Sequence, residues 1–425
     1  MKLRCISWAL LLSALLTACA PAVPEASPTA EPESQKIASG PVEVFPLEGG
    51  RALVMDLLSD GDLAQFSEQA APGSVVGGEQ ARQFISCRAN LRILTEDGAV
   101  LPVEWDMFSV PMEDVRGEGQ EAVFYRVAAR DGVLAIPQED PGTNIGSRFY
   151  AWTDGGIWKI DPEQGTGSKV TSDFYQGMHY TALVEDADTC HPLFYIATPL
   201  VNPDGRYVVY SSNRSAPKDY GDCLWALDGE SGQEVQLTAD SGVYRSPEGF
   251  VGPTEVLVSN ISDDRRAYSI VDAVTGAETP VQLPELPNLS VQATSPAGYA
   301  ALGYYDASSR GTAIVHIQGG QVETIRTLEG VYGQVRFSPG GSQAGLSYDL
   351  DPQRPDSELL LLVLDLAAGT ERPLRGDATA QGHPALDDLS WSLLDFAWIS
   401  DSALLVTYSG LDGQEDETWF WPLTA

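Results

Sequence analysis

Metal-binding side chains are concentrated between residues 179 and 191. The segment contains His179, Glu185, Asp186, Asp188, Cys190 and His191. Zinc prefers these donors, but a structural zinc site needs close pairs such as C-x-x-C or H-x-x-x-H, and neither spacing occurs here. The acidic loops at 349–358 and 412–417 offer oxygen ligands, yet neither reproduces a complete Asp-x-Asp-x-Asp-Gly calcium loop. We therefore predict solvated loops and no cofactor, with calcium as the alternative.

Signatures of nucleophilic and glycosidic catalysis are missing from the sequence. No Gly-x-Ser-x-Gly nucleophile elbow occurs, and such a serine would need a strand-turn-helix context to work. No Ser-x-Asp-x-Gly-x-x-Trp box of the sialidase type occurs either. Two carboxylates could flank a glycosidic bond, but a chain with 60 acidic residues would bring some pair together in almost any fold. No catalytic residue is predicted.

The first nineteen residues have the pattern of a secretory signal. Lys2 and Arg4 supply positive charge, an apolar run extends from Ile6 to Leu16, and the motif Leu16-Thr17-Ala18-Cys19 follows. The run is shorter than the roughly 20 residues of a spanning helix, and small residues precede the cysteine where a peptidase must cut. The stretch resembles the bacterial lipoprotein signal. That resemblance implies removal of residues 1–18 and lipidation of Cys19; an ordinary signal peptide is the alternative.

Residues 19–40 are expected to form the lipidated cysteine and a Pro-rich tether, which holds the rest of the protein away from the membrane. Acyl chains would provide the membrane affinity, so we predict a location at the extracytoplasmic face of the cell membrane.

The chain carries 25 basic and 60 acidic residues, a net charge of −35. Loss of Lys2 and Arg4 leaves 23 basic residues and a net charge of −37. Such a charge excludes nucleic-acid binding and leaves cationic partners open.

The remaining sequence predicts an all-β fold, because short apolar runs alternate with Gly, Pro, Asn, Asp and Ser. Five runs are similar to one another: Ile157–Asp161, Leu224–Asp228, Tyr268–Asp272, Ile314–Gln318 and Leu361–Asp365. In four of them a glycine follows the aspartate by four positions: Gly165, Gly232, Gly276 and Gly369. Asp and Gly at this spacing predict a hairpin turn with a left-handed residue. The runs recur about every 45 residues, the length of a four-stranded propeller blade.

A second unit precedes these runs. It reads Asn202-Pro203-Asp204-Gly205 before the strand from Arg206 to Tyr210, and it recurs in modified form at Ser295 and Ser338. With this unit the sequence resembles the TolB-type, WD40-like propeller repeat, best between Asn202 and Thr238. The resemblance covers residues 149–374 well and the first hundred mature residues poorly. It implies a β-propeller and names no chemistry.

We predict seven four-stranded blades in a domain spanning 41–425, with six or eight as alternatives. The predicted blades cover 50–105, 120–172, 178–238, 245–283, 289–328 and 331–375, and a last blade combines 393–424 with Val42–Leu47. Mixing the two chain ends in one blade closes the ring and removes exposed sheet edges. Weak helical spacing near 60–86 predicts a short capping insertion.

The cysteines and tryptophans can be placed within the predicted blades. Cys190 comes just before the first strand of its predicted blade and Cys223 enters the third, so we predict a Cys190–Cys223 disulfide, which export permits. Two separate buried thiols are the alternative, and Cys87 would be unpaired.

The tryptophans are predicted to pack between blades rather than to form a binding platform: Trp152, Trp158, Trp225, Trp391, Trp398, Trp419 and Trp421.

Two functions fit these features. The favoured one is a monomeric, lipid-anchored extracytoplasmic propeller that acts without catalysis as a binding or scaffolding protein for a protein, peptide or carbohydrate of the cell envelope. The alternative is an envelope enzyme, such as a lyase, hydrolase or lactonase, with its site in the propeller channel. The membrane is contacted through the lipid alone in both cases.

Overall fold

The computed structural model describes residues 35–56, 91–113, 119–129, 132–137, 147–153, 155–171, 196–212, 222–239, 243–262, 265–330, 333–349, 359–374, 391–410 and 416–423. These residues form strands joined by turns and belong to one compact unit spanning 33–423. None of them builds a helix with the length and hydropathy of a membrane span. The predicted signal peptide, Cys19, the capping insertion and Cys190 lie outside these ranges.

The described strands form eight antiparallel sheets, named blades 1 to 8. Strand β1 (Gln35–Ala38) belongs to blade 8. Blade 1 contains β2 (Val42–Leu47), β3 (Arg51–Asp56), β4 (Leu91–Thr95) and β5 (Val100–Pro102). Blade 2 contains β6 (Glu104–Glu113), β7 (Gly119–Ala129) and β8 (Gly132–Pro137). Blade 3 contains β9 (Tyr150–Thr153), β10 (Gly156–Asp161) and β11 (Thr166–Lys169). Blade 4 contains β12 (Ala197–Val201), β13 (Tyr207–Ser212), β14 (Cys223–Asp228) and β15 (Gln233–Gln236).

Blade 5 contains β16 (Tyr244–Phe250), β17 (Glu255–Ser262), β18 (Arg265–Asp272) and β19 (Glu278–Val281). Blade 6 contains β20 (Ser290–Ser295), β21 (Tyr299–Tyr305), β22 (Arg310–Gln318) and β23 (Gln321–Glu329). Blade 7 contains β24 (Val335–Phe337), β25 (Gln343–Asp349), β26 (Leu359–Asp365) and β27 (Thr370–Pro373). Blade 8 contains β28 (Trp391–Ser400), β29 (Ala403–Gly410) and β30 (Glu417–Pro422), with β1 paired to β30.

Apolar clusters join each blade to the next and so define a closed ring. In β17, Val256 and Val258 pack against blade 4, whereas Leu257 packs against blade 6. Successive strand residues point to opposite faces, so both faces of the sheet are buried. The same arrangement recurs in the other clusters, the last of which joins blade 8 to blade 1. Burial on both faces explains why the middle strands are continuous apolar runs instead of alternating patterns.

The prediction of seven blades is wrong, because the ring has eight. The range 120–172, predicted as one blade, contains strands of two sheets: β7 and β8 belong to blade 2, and β9 to β11 belong to blade 3. Tyr125 of β7 packs against blade 1 and Tyr150 of β9 packs against blade 4, whereas Phe124 and Ala151 meet between the two sheets. The two sheets are therefore separate layers. Blades 2 and 3 have three strands each among the described residues. Blade 2 does not contain the repeated run with its Asp-x-x-x-Gly turn, so the repeat did not separate it from blade 3.

The ring is closed by the N-terminal strand, as predicted, but by a different segment. Strand β1 pairs antiparallel with β30, and Val42–Leu47 is instead the inner edge strand of blade 1, on the channel side. Residues 35–38 fall within the range predicted as tether. Lys36 forms an ion pair with Glu417 at 2.5 Å, and the Arg92 guanidinium of blade 1 donates to the Ile37 carbonyl at 3.2 Å. Strand β1 therefore links the last blade to the first.

The predicted Asp-Gly turns are confirmed. Each of the four glycines has a φ between 63° and 70°, the left-handed region that favours glycine. The side chain of Asp272 accepts hydrogen bonds from the backbone N–H groups of Val274 and Thr275 at 3.2 and 2.8 Å. The Gly276 N–H then donates to the Asp272 carbonyl at 2.9 Å. Similar bonds hold the turns at Asp228 and Asp365.

Candidate functional site

The central channel is bordered by the inner strands of six blades. These strands are β2, β12, β16, β20, β24 and β28. Each pairs with a single other described strand, and they contact one another in the order β12, β16, β20, β24, β28 and β2. The innermost strand of a propeller blade borders the channel. The channel wall is therefore made of strand edges, which present backbone N–H and C=O groups that the sheets leave unpaired on that side.

A cavity of about 800 Å³ occupies the side of the channel formed by blades 6, 7, 8 and 1. All residues from Val42 to Pro46 of β2 border it, as do Val335–Phe337 of β24. Because consecutive side chains point to opposite faces of a sheet, a continuous lining indicates that the strand edge faces the cavity. Ala293, Thr294 and Trp398 complete the wall. The cavity thus combines backbone polar groups with aromatic and aliphatic side chains.

One ion pair is fixed in this wall. The Arg336 Nη1 atom of β24 lies 2.9 Å from Asp395 Oδ1 of β28, and Arg336 also donates to the Phe396 carbonyl. With its amide nitrogen toward Asp395, Gln334 donates to Oδ1 at 3.1 Å and accepts from Arg336 Nη2 at 2.6 Å. The two charged side chains are 36% and 42% exposed. They can therefore be reached by a ligand while their mutual contacts hold them in place.

The indole of Trp398 supports this pair from the blade 8 side. Its Nε1 atom donates to the Arg336 carbonyl at 2.9 Å, and the Trp398 ring is buried against the cluster between blades 7 and 8. The Arg336 guanidinium lies 5.4 Å from the centre of the Phe396 ring. Such contacts restrict an otherwise flexible arginine, which lowers the entropy that a ligand must overcome.

Inner strands of three successive blades carry β-bulges. The bulge in β12 lies between Ala197 and Leu200, and those in β16 and β20 place Glu248 and Gln292 as extra residues. Thr198 has a φ of 47°, which is strained for a β-branched residue. A bulge leaves the extra residue outside the sheet ladder and re-aims its side chain. Blades 4 to 6 therefore add further polar backbone groups to the channel edge.

The described inner strands carry three carboxylates and two arginines. The carboxylates are Glu43, Glu248 and Asp395, on β2, β16 and β28, and Asp395 is paired with Arg336 of β24. The other inner-strand arginine described, Arg245, is bound to Glu278 at 2.8 Å. Burial raises the pKa of Tyr244, and the nearby charges of Asp222 and Glu248 raise it further. Carboxylates therefore outnumber arginines by one on these strands, and this excess of negative charge favours neutral or cationic ligands over anionic ones.

The structure places some of the residues singled out in the sequence. Cys223 is buried at the start of β14, but Cys190 lies outside the described residues, so the disulfide stays a prediction. His316 packs against Tyr299, with ring centres 4.7 Å apart. His179, His191, His383 and most of both acidic loops also lie outside these ranges. Within them, no group of three His, Cys, Asp or Glu side chains is arranged to hold a metal ion.

The tryptophan interpretation is confirmed where side chains are described. Trp158, Trp398 and Trp421 are 6%, 3% and 2% exposed and pack in clusters between blades. Trp152, Trp225 and Trp419 are partly buried against such clusters. These rings stabilise the stacking of blades. Trp398 has a second role, since it also borders the channel cavity.

Sequence reasoning missed the Arg336–Asp395 pair. The two residues are 59 positions apart and belong to different blades, so no local motif contains both. Strand β24 is only three residues long. The one local signal in the sequence is Arg336 itself, a charged residue between Val335 and Phe337 immediately before the turn at Ser338.

Comparisons with known proteins give structural similarity alone. No family model matches the chain, and no curated protein matches it. Among solved structures, oligogalacturonate lyase from Vibrio parahaemolyticus is 12% identical, with a TM-score of 0.45, over 93% of this chain and 99% of that one. TolB from Acinetobacter baumannii is 13% identical, with a TM-score of 0.33, over 75% and 80%. A puromycin hydrolase is 15% identical, with a TM-score of 0.38, over 87% and 58%. Matches at this level assign no activity or ligand, and the propeller assignment rests on the eight sheets themselves.

Proposed function

We propose that this protein is a lipid-anchored, extracytoplasmic propeller that binds a protein, peptide or carbohydrate ligand in its central channel without transforming it. The supporting observation is the channel cavity of about 800 Å³. Its volume lies within the range of ligand-binding pockets, which combine apolar walls with a few fixed polar groups. Phe45, Phe337 and Trp398 supply apolar surface, and Arg336 with Asp395 supplies the fixed polar group.

The exposed edge of β2 supports recognition of an extended or hydroxyl-rich ligand. Val42–Pro46 border the cavity, and β2 pairs with β3 alone, so the backbone N–H and C=O groups on its other edge are available to a ligand. Pro46 offers a C=O only. A peptide backbone can pair with such an edge, and sugar hydroxyls can use the same groups. The negative wall disfavours polyanions, so we expect a neutral or cationic ligand.

The membrane anchor is part of the proposal and is supported by the sequence motif ending at Cys19. A Cys19→Ala variant should lose metabolic labelling with a fatty acid and should leave the membrane fraction. A matched Cys87→Ala variant should retain both. Persistent labelling of Cys19→Ala would contradict the anchor and leave the channel proposal unaffected.

The channel proposal is tested by binding screens against peptide and glycan arrays with a soluble form that begins at residue 35. The double variant Arg336→Gln, Asp395→Asn removes both charges while preserving side-chain size. The matched control is Arg326→Gln, Glu371→Gln, which removes an ion pair between the outer strands of blades 6 and 7. We expect at least a tenfold loss of affinity in the channel variant and none in the control.

Equal binding by both variants would place the ligand outside the channel and overturn the proposal. Each ligand found in the screen should also be incubated with the protein and followed by mass spectrometry. Conversion of the ligand at a rate that the channel variant abolishes would support the enzyme alternative.

A further inference from the structure

A second cavity, of about 940 Å³, lies between blades 5 and 6, away from the residues of the channel cavity. It is bordered by the first residues of β18, by the connector 281–290 and by Tyr305 at the end of β21. Strand β18 ends at the Asp272 turn, so this groove opens at the opposite end of the blades from the Asp-Gly turns. It is independent of the channel site.

The walls of the groove are held in place by backbone geometry. Pro284 and Pro287 fix the φ angles of the connector. Asn288 adopts a left-handed conformation with a φ of 44°, and its Nδ2 atom donates to the Tyr305 carbonyl at 2.7 Å. The Tyr305 N–H donates to the Pro287 carbonyl at 3.1 Å. The connector and the end of β21 therefore form a rigid frame, which reduces the entropy cost of binding.

Two neighbouring hydrogen-bond donors in the groove, Arg266 and Tyr268, have no carboxylate or carbonyl partner among the described residues. Arg266 lines the cavity and forms no ion pair with any described residue, although six other arginines in these ranges do: Arg92, Arg126, Arg206, Arg245, Arg326 and Arg336. The Tyr268 hydroxyl oxygen is buried near the Arg266 guanidinium, and it makes no hydrogen bond of adequate geometry within the described part of the chain. A buried hydroxyl without a partner is costly, so a ligand that accepts from it would recover that cost.

The groove also has a surface for the body of a ligand. Tyr305 is 53% exposed, and Leu286 and Leu289 supply apolar floor beneath the cavity. The Glu285 carboxylate on the connector is a hydrogen-bond acceptor. A ligand for this groove therefore needs an anionic group for Arg266 and hydroxyl donors for Glu285, carried on a compact skeleton that can lie against a tyrosine ring.

We propose that this groove binds a small hydroxylated carboxylate, with its carboxylate held by the Arg266 guanidinium and the Tyr268 hydroxyl and its skeleton against Tyr305. Arginine suits this role because its planar fork can donate two parallel hydrogen bonds to a carboxylate. Burial raises the pKa of Tyr268, with Arg266 opposing the increase, so the hydroxyl keeps its proton and acts as a donor at neutral pH. Glu248 is the other charged group that influences this tyrosine.

Isothermal titration calorimetry with D-glucuronate and D-gluconate tests the site, with D-glucose as the probe that lacks a carboxylate. We expect at least one carboxylate to bind and glucose not to bind. Arg266→Gln should weaken binding at least tenfold. Arg265→Gln is the matched control, because it makes the same change on the neighbouring residue of β18, which does not line the groove.

Tyr268→Phe separates a binding role from a structural one. Loss of a hydroxyl without a partner should leave the thermal unfolding midpoint unchanged or higher, whereas carboxylate affinity should fall several-fold. Failure of both carboxylates to bind the wild type, equal binding of glucose, or full affinity in Arg266→Gln would each overturn the proposal. None of these results bears on the channel ligand, which the Arg336 and Asp395 variants test separately.

Discussion

The hydroxyl of Tyr150 in blade 3 donates a hydrogen bond to the carbonyl of Gly205 in blade 4, at 2.8 Å. Tyr150 is fully buried, and Gly205 is the left-handed residue of the Asn202–Gly205 turn. The bond therefore joins a strand of one blade to a turn of the next. Blade stacking in this ring depends on such polar links as well as on apolar packing.

Replacement of Tyr150 by Phe should lower the free energy of unfolding by about 1 kcal/mol, the net value of one hydrogen bond whose partly buried acceptor loses its donor. Urea denaturation followed by tryptophan fluorescence measures the change. Tyr304→Phe is the control, because Tyr304 is also buried but its hydroxyl makes no hydrogen bond to a described residue. Equal losses in the two variants would show that the link to Gly205 contributes nothing.

Stability should decrease at alkaline pH between about 10 and 12. Burial raises the pKa of Tyr150 from 10.0 to about 12, and the charge of Asp228 adds to the effect. Because the folded state holds this proton more tightly than the unfolded state, the contribution is complete below pH 10 and is lost as the pH rises through 12. Urea midpoints measured across this range should fall less steeply for Tyr150→Phe. An identical slope in the variant would contradict the assignment.

Gly341→Ala should destabilise the protein more than Gly369→Ala. Both glycines are left-handed, with φ of 70° and 64°, so an added Cβ costs about 1 kcal/mol at either position. At Gly341 the new Cβ would also collide with Ala297 of the preceding blade, whereas at Gly369 it meets open space. Overpacking adds roughly 1–3 kcal/mol. Equilibrium unfolding of the two variants should reveal this difference, and its absence would mean that the two turns are not in contact.

Removal of strand β1 should open the ring. A protein that begins at residue 39 lacks the strand paired with β30, whereas one that begins at residue 35 retains it. We expect the shorter form to lose about 2–3 kcal/mol, since several backbone hydrogen bonds of about 1 kcal/mol disappear. It should also aggregate with increasing concentration, because the edge of β30 becomes available for pairing. Light scattering and urea midpoints check both effects; similar behaviour of the two forms would show that β1 is dispensable.

Local features of the sequence were sufficient to predict the repeating hairpins. The strand ending at Asp228 and the turn to Gly232 depend on residues that lie within about ten positions of one another. The turn needs a side chain that accepts backbone hydrogen bonds and a residue with a positive φ, and the Asp and Gly at these positions meet both needs. The same is true of the strands ending at Asp161, Asp272 and Asp365. Their shared spacing was enough to indicate a propeller, although not the number of its blades.

The blade number, the closing strand and the channel pair are properties of the tertiary structure. Blade 2 lacks the repeated run with its Asp-x-x-x-Gly turn, so its separation from blade 3 appears only in how the two sheets pack. Gln35–Ala38 can be recognised as a strand only because β30, almost 400 residues later, offers it an edge. Arg336 and Asp395 meet because blades 7 and 8 are neighbours in the ring. The sequence by itself determined the local strands and turns, because their energetics involve adjacent residues. The tertiary structure decided the contacts between residues far apart in sequence, because these contacts depend on closure of the whole ring.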